Sequence, residues 1–519
     1  MKMFELQHEP TRRNKVERLT LTALIGISSM LFLPAYARAQ MIAPKATVNF
    51  EPPTERMPED NYVVQRSAPA AIPFRPTISA SAYKAAKRAA EASRSLRLEH
   101  APLAPVPAAP PTTVLKNFNG ASDVDGFAPP DTEGAAGATQ FVETTNSHIN
   151  IFKKTDGSLA KSVSLASFFN YTAQSLFDPR VVYDPVWKRW IVTADAFAEN
   201  STVQKFFFAV SKTSNATGAF YFYNTNVISF LSSGDFWDFP QVGFDQDAVI
   251  FTANVFDSSD NYKGAYTFAI AKALIYNGRV TTVPVFGGLV GTLAPPIVLD
   301  QNANTFLIAA PSSGTALTKY TMTNSSHPAS TALAASSIAV SSYSVPPGAR
   351  QAGTTDLLET SDSRFVNAST QNGNDLWQVH TISSNGSATP KFYRLNTASN
   401  TVSQSGFFFQ TSASDDWNAS IAANAAGNAF VTWSSTDATH NINAQVVFSG
   451  KQNADTSIPA GIVGVTSSTF YNPSNRPTER WGDYSAITID PSSTSKAWLV
   501  NEKINSTTIW GSQIMQVGF

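Results

Sequence analysis

The chain has 519 residues, 37 basic against 38 acidic side chains, no Cys, and only 14% charged against 43% apolar residues. A net charge of −1 excludes a general polyanion binder, which needs a basic surface. The apolar content excludes a wholly disordered chain, and zero Cys removes disulfide scaffolds, thiolate metal sites and Cys nucleophiles.

Residues 1–39 read as an export signal. Arg12, Arg13, Lys15 and Arg18 precede an apolar run from Leu19 to Ala35, and Ala37-Arg38-Ala39 is a small-x-small cleavage site that would leave Gln40 first in the mature chain. The run is short for a membrane span and ends after Pro34, and no other stretch is long and apolar enough to cross a bilayer. An exported chain of this length without Cys points to a bacterium, with a periplasmic or extracellular destination.

Residues 40–112 form a Pro/Ala-rich leader, as in the APLAPVPAAPP stretch at 101–111. Such composition predicts a disordered, extended and solvated segment. Within it, 81–100 is Ala-rich with Lys84, Lys87, Arg88, Arg94 and Arg97, which predicts one short helix. Its apolar face is nearly all Ala, so it reads as a spacer rather than a membrane-surface helix.

From 113 to 519 short apolar and aromatic runs alternate with turns such as Asp156-Gly157, Asn277-Gly278, Asn372-Gly373 and Asn385-Gly386. Strand–turn–strand units recur, marked by Asp184, Asp245, Asp300, Glu359, Asn424 and Asp490. A diverged unit at 135–155 makes seven copies. The pattern predicts an all-β, seven-bladed β-propeller in which a strand near Val114–Phe118 completes the last blade. A sandwich pair or a solenoid is the competing architecture.

Three stretches carry a resemblance: Pro129-Pro130-Asp131-Thr132-Glu133-Gly134, Tyr183-Asp184-Pro185 before Arg189-Trp190, and Arg480-Trp481-Gly482-Asp483-Tyr484-Ser485 before Asp490-Pro491. Together, over roughly 115–519, they resemble a group of exported bacterial β-propeller proteins of mostly unassigned function. The resemblance implies fold and export and carries no activity. That group's first motif usually has Asn where this chain has Glu133, which leaves the role of Glu133 open.

If the first strand of each copy is innermost, residues just upstream of it converge on one channel mouth. Asp131, Asp178, Asp238, Asp356, Asp416 and Asp483 then form an acidic collar, with Arg180, Arg350, Arg480, Trp237, Trp417 and Trp481 nearby. Three chemistries suit such a collar. Each Asp can cap a turn by accepting backbone N–H groups. The carboxylates can gather around Ca²⁺. A pair among Asp178, Asp238, Asp416 and Asp483 can act as acid and base on a glycosidic bond, with Trp faces for sugar rings. Asp123 and Asp125 form a weaker calcium-loop candidate, out of register for an EF-hand. No G-x-S-x-G, H-E-x-x-H or phosphate loop is present in the sequence. The expectation is therefore a secreted monomer that binds a glycan, a peptide or an envelope component through this mouth and does not bind nucleic acid. A polysaccharide hydrolase or lyase and a stalked adhesive protein are the alternatives.

Overall fold

The computed structural model describes residues 39–60, 74–94, 112–197 and 202–519. The expected signal segment lies outside them except for Ala39. Among the described residues, no helix is long and apolar enough to cross a membrane.

Short runs of β-branched and aromatic residues cut by Gly, Asn and Asp turns favour antiparallel hairpins, and the domain is all-β. Seven successive sets of antiparallel strands follow the chain. Their first strands are Glu133–Ala136, Ser175–Asp184, Phe236–Phe244, Thr292–Ala294 continued by Pro296–Val298, Ser369–Asn372, Asp415–Ala423 and Ala486–Ile489. The third and fifth sets are bridged by Pro296–Val298, which pairs in parallel with both. Of the turn dipeptides, Asn385-Gly386 joins two strands directly, with both residues at positive φ (48° and 74°). Asn277-Gly278 instead follows a short helix, Lys272–Ile275.

Neighbouring first strands pack on one another in chain order, and the seventh packs on the first. The apolar clusters follow the same order. Phe206 and Phe208 of the second set meet Phe251 and Phe268 of the third. Phe430 and Phe448 of the sixth meet Leu499 and Met515 of the seventh. Trp498 and Ile514 of the seventh meet Phe141 and Phe152 of the first. Each fully buried Phe such as Phe251 contributes about 1.5–3 kcal/mol. The outer strand of the seventh set comes from the other end of the domain: Thr113–Ser122 pairs antiparallel with Ile509–Gly518, Phe118 opposite Ile514.

The described parts of the leader, 40–60 and 74–94, depart from the expected disordered, solvated state. Three short strands, β1 (Gln40–Ile42), β2 (Ala46–Val48) and β3 (Thr54–Arg56), pair antiparallel with the outermost strands of the fourth, third and second sets. Lys161 and Ser164 of the first set then bond to the Pro58 carbonyl and the Asp60 carboxylate. The segment thus covers edges that would otherwise present unpaired backbone groups. Helix α1 (Ala80–Ser93) overlaps the predicted helix at 81–100, of which 95–100 lies outside the described residues, and the Ser79 hydroxyl accepts from the Ala82 N–H. It too is docked rather than a free spacer. At its end the chain passes so close to Gly386 that a Cβ there would lie 2.7 Å from the Arg94 backbone, which only Gly at positive φ accommodates.

Candidate functional site

Each first strand starts at one end of the axis and finishes at the other, so the site has two ends. At the finishing end the repeat markers cap turns. The Asp184 carboxylate accepts from the Val186 and Trp187 N–H groups, Asp245 from Asp247 and Ala248, Asp490 from Ser492, and Asn424 from Ala426 and Asn428. Glu359 does not share this place. It lies in a loop at the opposite end, and the fifth first strand ends at Asn372 instead.

At the starting end four of the six expected collar carboxylates meet. Asp131 accepts from the Asp483 N–H at 2.6 Å and from Asn146 Nδ2 at 2.7 Å. Asp178 accepts from the Tyr484 hydroxyl at 2.7 Å and the Phe239 N–H at 3.2 Å. Asp483 holds Arg480 through both oxygens, at 3.0 and 2.8 Å. Asp238 lies 3.9 Å from Arg75 of the leader. The Asp131–Asp483, Asp178–Tyr484 and Asp178–Phe239 bonds run between sets, so Asp131 and Asp178 tie sets together.

The other two collar positions are corrected by the structure. Asp416 accepts from the Ser414 hydroxyl, the Gln410 N–H and Trp433 Nε1. A bulge between Trp417 and Ser420 gives its expected place to Asn418. Asp356 belongs to a rim loop, held by Thr354 Oγ1 and Asn472 Nδ2. Arg350 is at that rim too, bonded to Asp415. The three Trp residues are corrected likewise. Trp237 fills the core between the second and third sets, and Trp417 and Trp481 pack edge to face at 5.5 Å, all three at most 2% exposed. None offers a face to a sugar.

Arg180 sits at the centre. Its guanidinium donates to Glu133 at 2.9 Å, to Asn367 Oδ1 at 3.0 Å and to the Pro240 and Val366 carbonyls at 2.8 and 3.0 Å, and it lies 3.2 Å from the Tyr484 ring centroid. One cation therefore joins five of the seven sets. The open role of Glu133 is thereby filled, because it is the counter-charge of Arg180.

Burial dominates the electrostatics here, because a carboxylate out of water is disfavoured. Burial pushes the Asp178 carboxyl up to about 7, helped by the charges of Asp238 and Asp483. Asp131 is raised well above its ordinary value by burial, then by Asp483 and Asp178. Burial carries Glu133 to about 7 against the pull of Arg180. Two acids that the sequence reading missed form a second tier on second strands. Asp195 is buried with neither oxygen partnered, and Glu502 accepts only the Gly482 N–H; burial raises both well above the usual range. The signal for Asp195 was one carboxylate in the apolar strand Arg189–Phe197.

The leader covers this end. The Phe74 ring lies 4.8 Å from the Arg364 guanidinium and 5.6 Å from that of Arg480. Tyr83 and Lys87 of α1 both reach Glu359, at 2.7 and 3.0 Å. The expected mouth is closed. The cavity instead lies beyond Arg180, toward the turn-capping end. It has a volume of about 310 Å³, with walls of Ala135, Val181, Ile297, Ala368, Ile421, Ala422 and Ile487 and with Glu133, Asn367 and Ser420 at its inner end.

Among the described residues, no group of three or more His, Asp and Glu side chains is placed to hold a metal. Asp123 accepts from the Asp125 and Gly126 N–H groups, and Asp125 faces His148 at 3.2 Å.

No family model matches the chain, and no curated protein matches it. Solved structures do. A mutant of Synechocystis apocarotenoid oxygenase aligns at TM-score 0.37 and 10% identity, over 64% of this chain and 74% of that one. The WD40 domain of SCAP from fission yeast aligns at 0.30 and 8%, over 79% and 95%. Penicillium chrysogenum α-L-arabinanase with arabinobiose aligns at 0.36 and 11%, over 78% and 98%. At these scores none of them bears on ligand or reaction.

Proposed function

We propose that the chain is an exported bacterial seven-bladed β-propeller that binds a ligand in its axial cavity, entered from the face opposite α1. The cyclic order of sheet contacts supports the ring. The observation that carries the binding reading is the cavity itself, with apolar walls and a polar inner end centred on Glu133. Concave, mostly apolar pockets with a few placed polar groups are the common form of small-ligand sites. A volume of about 310 Å³ suits a small apolar molecule, or the apolar end of a peptide or envelope component. Its polar group would accept from, or donate to, Glu133, Asn367 or Ser420. A polysaccharide-acting enzyme is disfavoured, because the carboxylate cluster is covered and the Trp faces are buried.

The test is titration of the full chain with a neutral naphthylamine dye that fluoresces in apolar surroundings. One saturable site is expected, abolished by Ala422→Leu and by Ala368→Leu, which fill the walls, with unchanged far-UV circular dichroism. Equal dye binding by wild type and both variants, or none by wild type, sinks the assignment.

A further inference from the structure

The charges on the walls of the axial cavity narrow what enters it. Among the described residues that line it there is no Lys, Arg or His, and the charged side chains are two carboxylates, Glu133 and Asp490. Asp490 is fully engaged. It caps its turn at the outer end and bonds Lys154 at 2.8 Å, Trp498 Nε1 at 2.8 Å and Gln516 at 2.9 Å. Glu133 is not. Arg180 bonds one of its oxygens, Oε2, and the side chain, 12% exposed, opens on the inner end of the cavity.

Positive charge is scarce at this end. Burial raises the carboxyls of Glu133, Asp178 and Asp195, and the single charge of Arg180 opposes it at all three without prevailing. Arg364 and Arg480 are already held by both oxygens of Asp362 and of Asp483. Arg180 itself has little to offer an anion, because four of its five N–H groups go to Glu133, Asn367 and the Pro240 and Val366 carbonyls. An anionic ligand would therefore meet carboxylates and no cation on the walls. A neutral head would leave the charge at Glu133 as poorly compensated as before. An ammonium head supplies the missing charge and three N–H donors. Ser369 Oγ, fully buried on the same walls and without a hydrogen-bond partner, is a further acceptor for it.

We infer that the cavity takes a small primary alkylamine, with its ammonium on Glu133 and its apolar body along the Ala, Val and Ile walls. This rests on the reading of the cavity as a ligand site and names the chemical class that the site selects. Arg180 is a positioning residue in it. It holds Oε2 and leaves the other carboxylate oxygen for the ammonium. An ammonium leaves water at little net cost only where a carboxylate and further acceptors receive it, and the inner end of this cavity provides both.

The test is displacement of the naphthylamine dye from the full chain at pH 8, where an alkylamine is charged. Three probes of equal length are compared: n-heptylamine, n-heptanol and heptanoate. Heptylamine is expected to displace the dye at about a tenth of the concentration that heptanol needs, the gain of one charge-assisted bond. Heptanoate is expected to be weaker than heptanol. Glu133→Gln is expected to bring the amine and the alcohol within about threefold of each other. Dye that binds but yields to heptanol or heptanoate as readily as to heptylamine overturns the amine assignment and leaves the cavity standing as a ligand site. A chain that binds no dye overturns both. An amine advantage that survives in folded Glu133→Gln overturns the role given to Glu133. The ranking of the three probes on the wild type needs no variant, so it decides the ligand class even if Glu133→Gln fails to fold.

Discussion

Replacing Arg180 by Met removes the cation that joins five of the seven sets while keeping a side chain of similar length. Four acceptors lose their donor: the Glu133 carboxylate, Asn367 Oδ1 and the carbonyls of Pro240 and Val366. Breaking a buried ion pair from one side costs about 3–5 kcal/mol, and each abandoned buried acceptor about 1–3 kcal/mol. These costs do not add, because water can enter from the cavity and Glu133 can take up a proton. A net loss of about 4 kcal/mol is expected. For a domain of about 400 residues, with an unfolding entropy of roughly 0.8 kcal/mol/K, that lowers Tm by about 5 °C. Glu133→Gln alone should cost about 2 kcal/mol, and the double variant should cost clearly less than the sum of the singles, a coupling of about 2 kcal/mol. The penalty of Arg180→Met should also be smaller at pH 5 than at pH 8. Without the cation, the Glu133 carboxyl rises beyond its present value of about 7 and is neutral at the lower pH. Differential scanning calorimetry of all four proteins at both pH values makes the measurement. A Tm loss under about 1 °C, or no coupling between the two sites, would refute the view that Arg180 and Glu133 hold the axis together.

The Asp416 carboxyl is raised by burial to about 7, so the folded state binds a proton that the unfolded state has already released. Its contribution to stability is complete below about pH 4 and is lost as pH rises to about 7. Asp416→Asn should therefore gain on wild type by about 3 kcal/mol between pH 4.5 and 8 in urea unfolding, and a constant difference across that range would contradict the assignment. Gly243→Ala should destabilise by about 3 kcal/mol or more, because its Cβ would lie 2.4 Å from the Pro296 carbonyl oxygen where the third and fourth sets meet in parallel. A Tm within about 1 °C of wild type would show that this close approach is relieved at little cost.

Much of the fold was legible because one local device recurs. Asp184, Asp245, Asn424 and Asp490 each close a strand turn by accepting backbone N–H groups, and that chemistry leaves a mark in sequence. The register slipped where the device changes. The Asp300 carboxylate bonds the Gly373 N–H of the next set, and Glu359 accepts from the Thr360 and Ser361 N–H groups at the opposite end, where it also holds Tyr83 of the leader. The docking of 40–60 left no comparable mark. Strands of three residues show no periodicity, and their partners are main-chain groups that every residue carries.

The acidic collar illustrates the remaining gap. Asp131, Asp178, Phe239 and Asn418 occupy matching places at bulges or strand starts, and all four have φ between 50° and 56°. What those places share is a left-handed backbone, which Asp and Asn tolerate better than other non-Gly residues. The same requirement admits Phe239, whose ring then packs on Tyr484 at 4.9 Å. At Asp131 and Asp178 the Asp in the sequence therefore reports, first, a conformation imposed at four of the seven strand entries. The charges that recurrence gathers are a consequence, and Arg180, Arg364 and Arg480 are the cations set among them. A repeated residue type in a repeated sheet is thus evidence about backbone before it is evidence about chemistry. The position that breaks the pattern at the inner end of the cavity, Glu133 with Arg180 behind it, is where a specific ligand is to be sought.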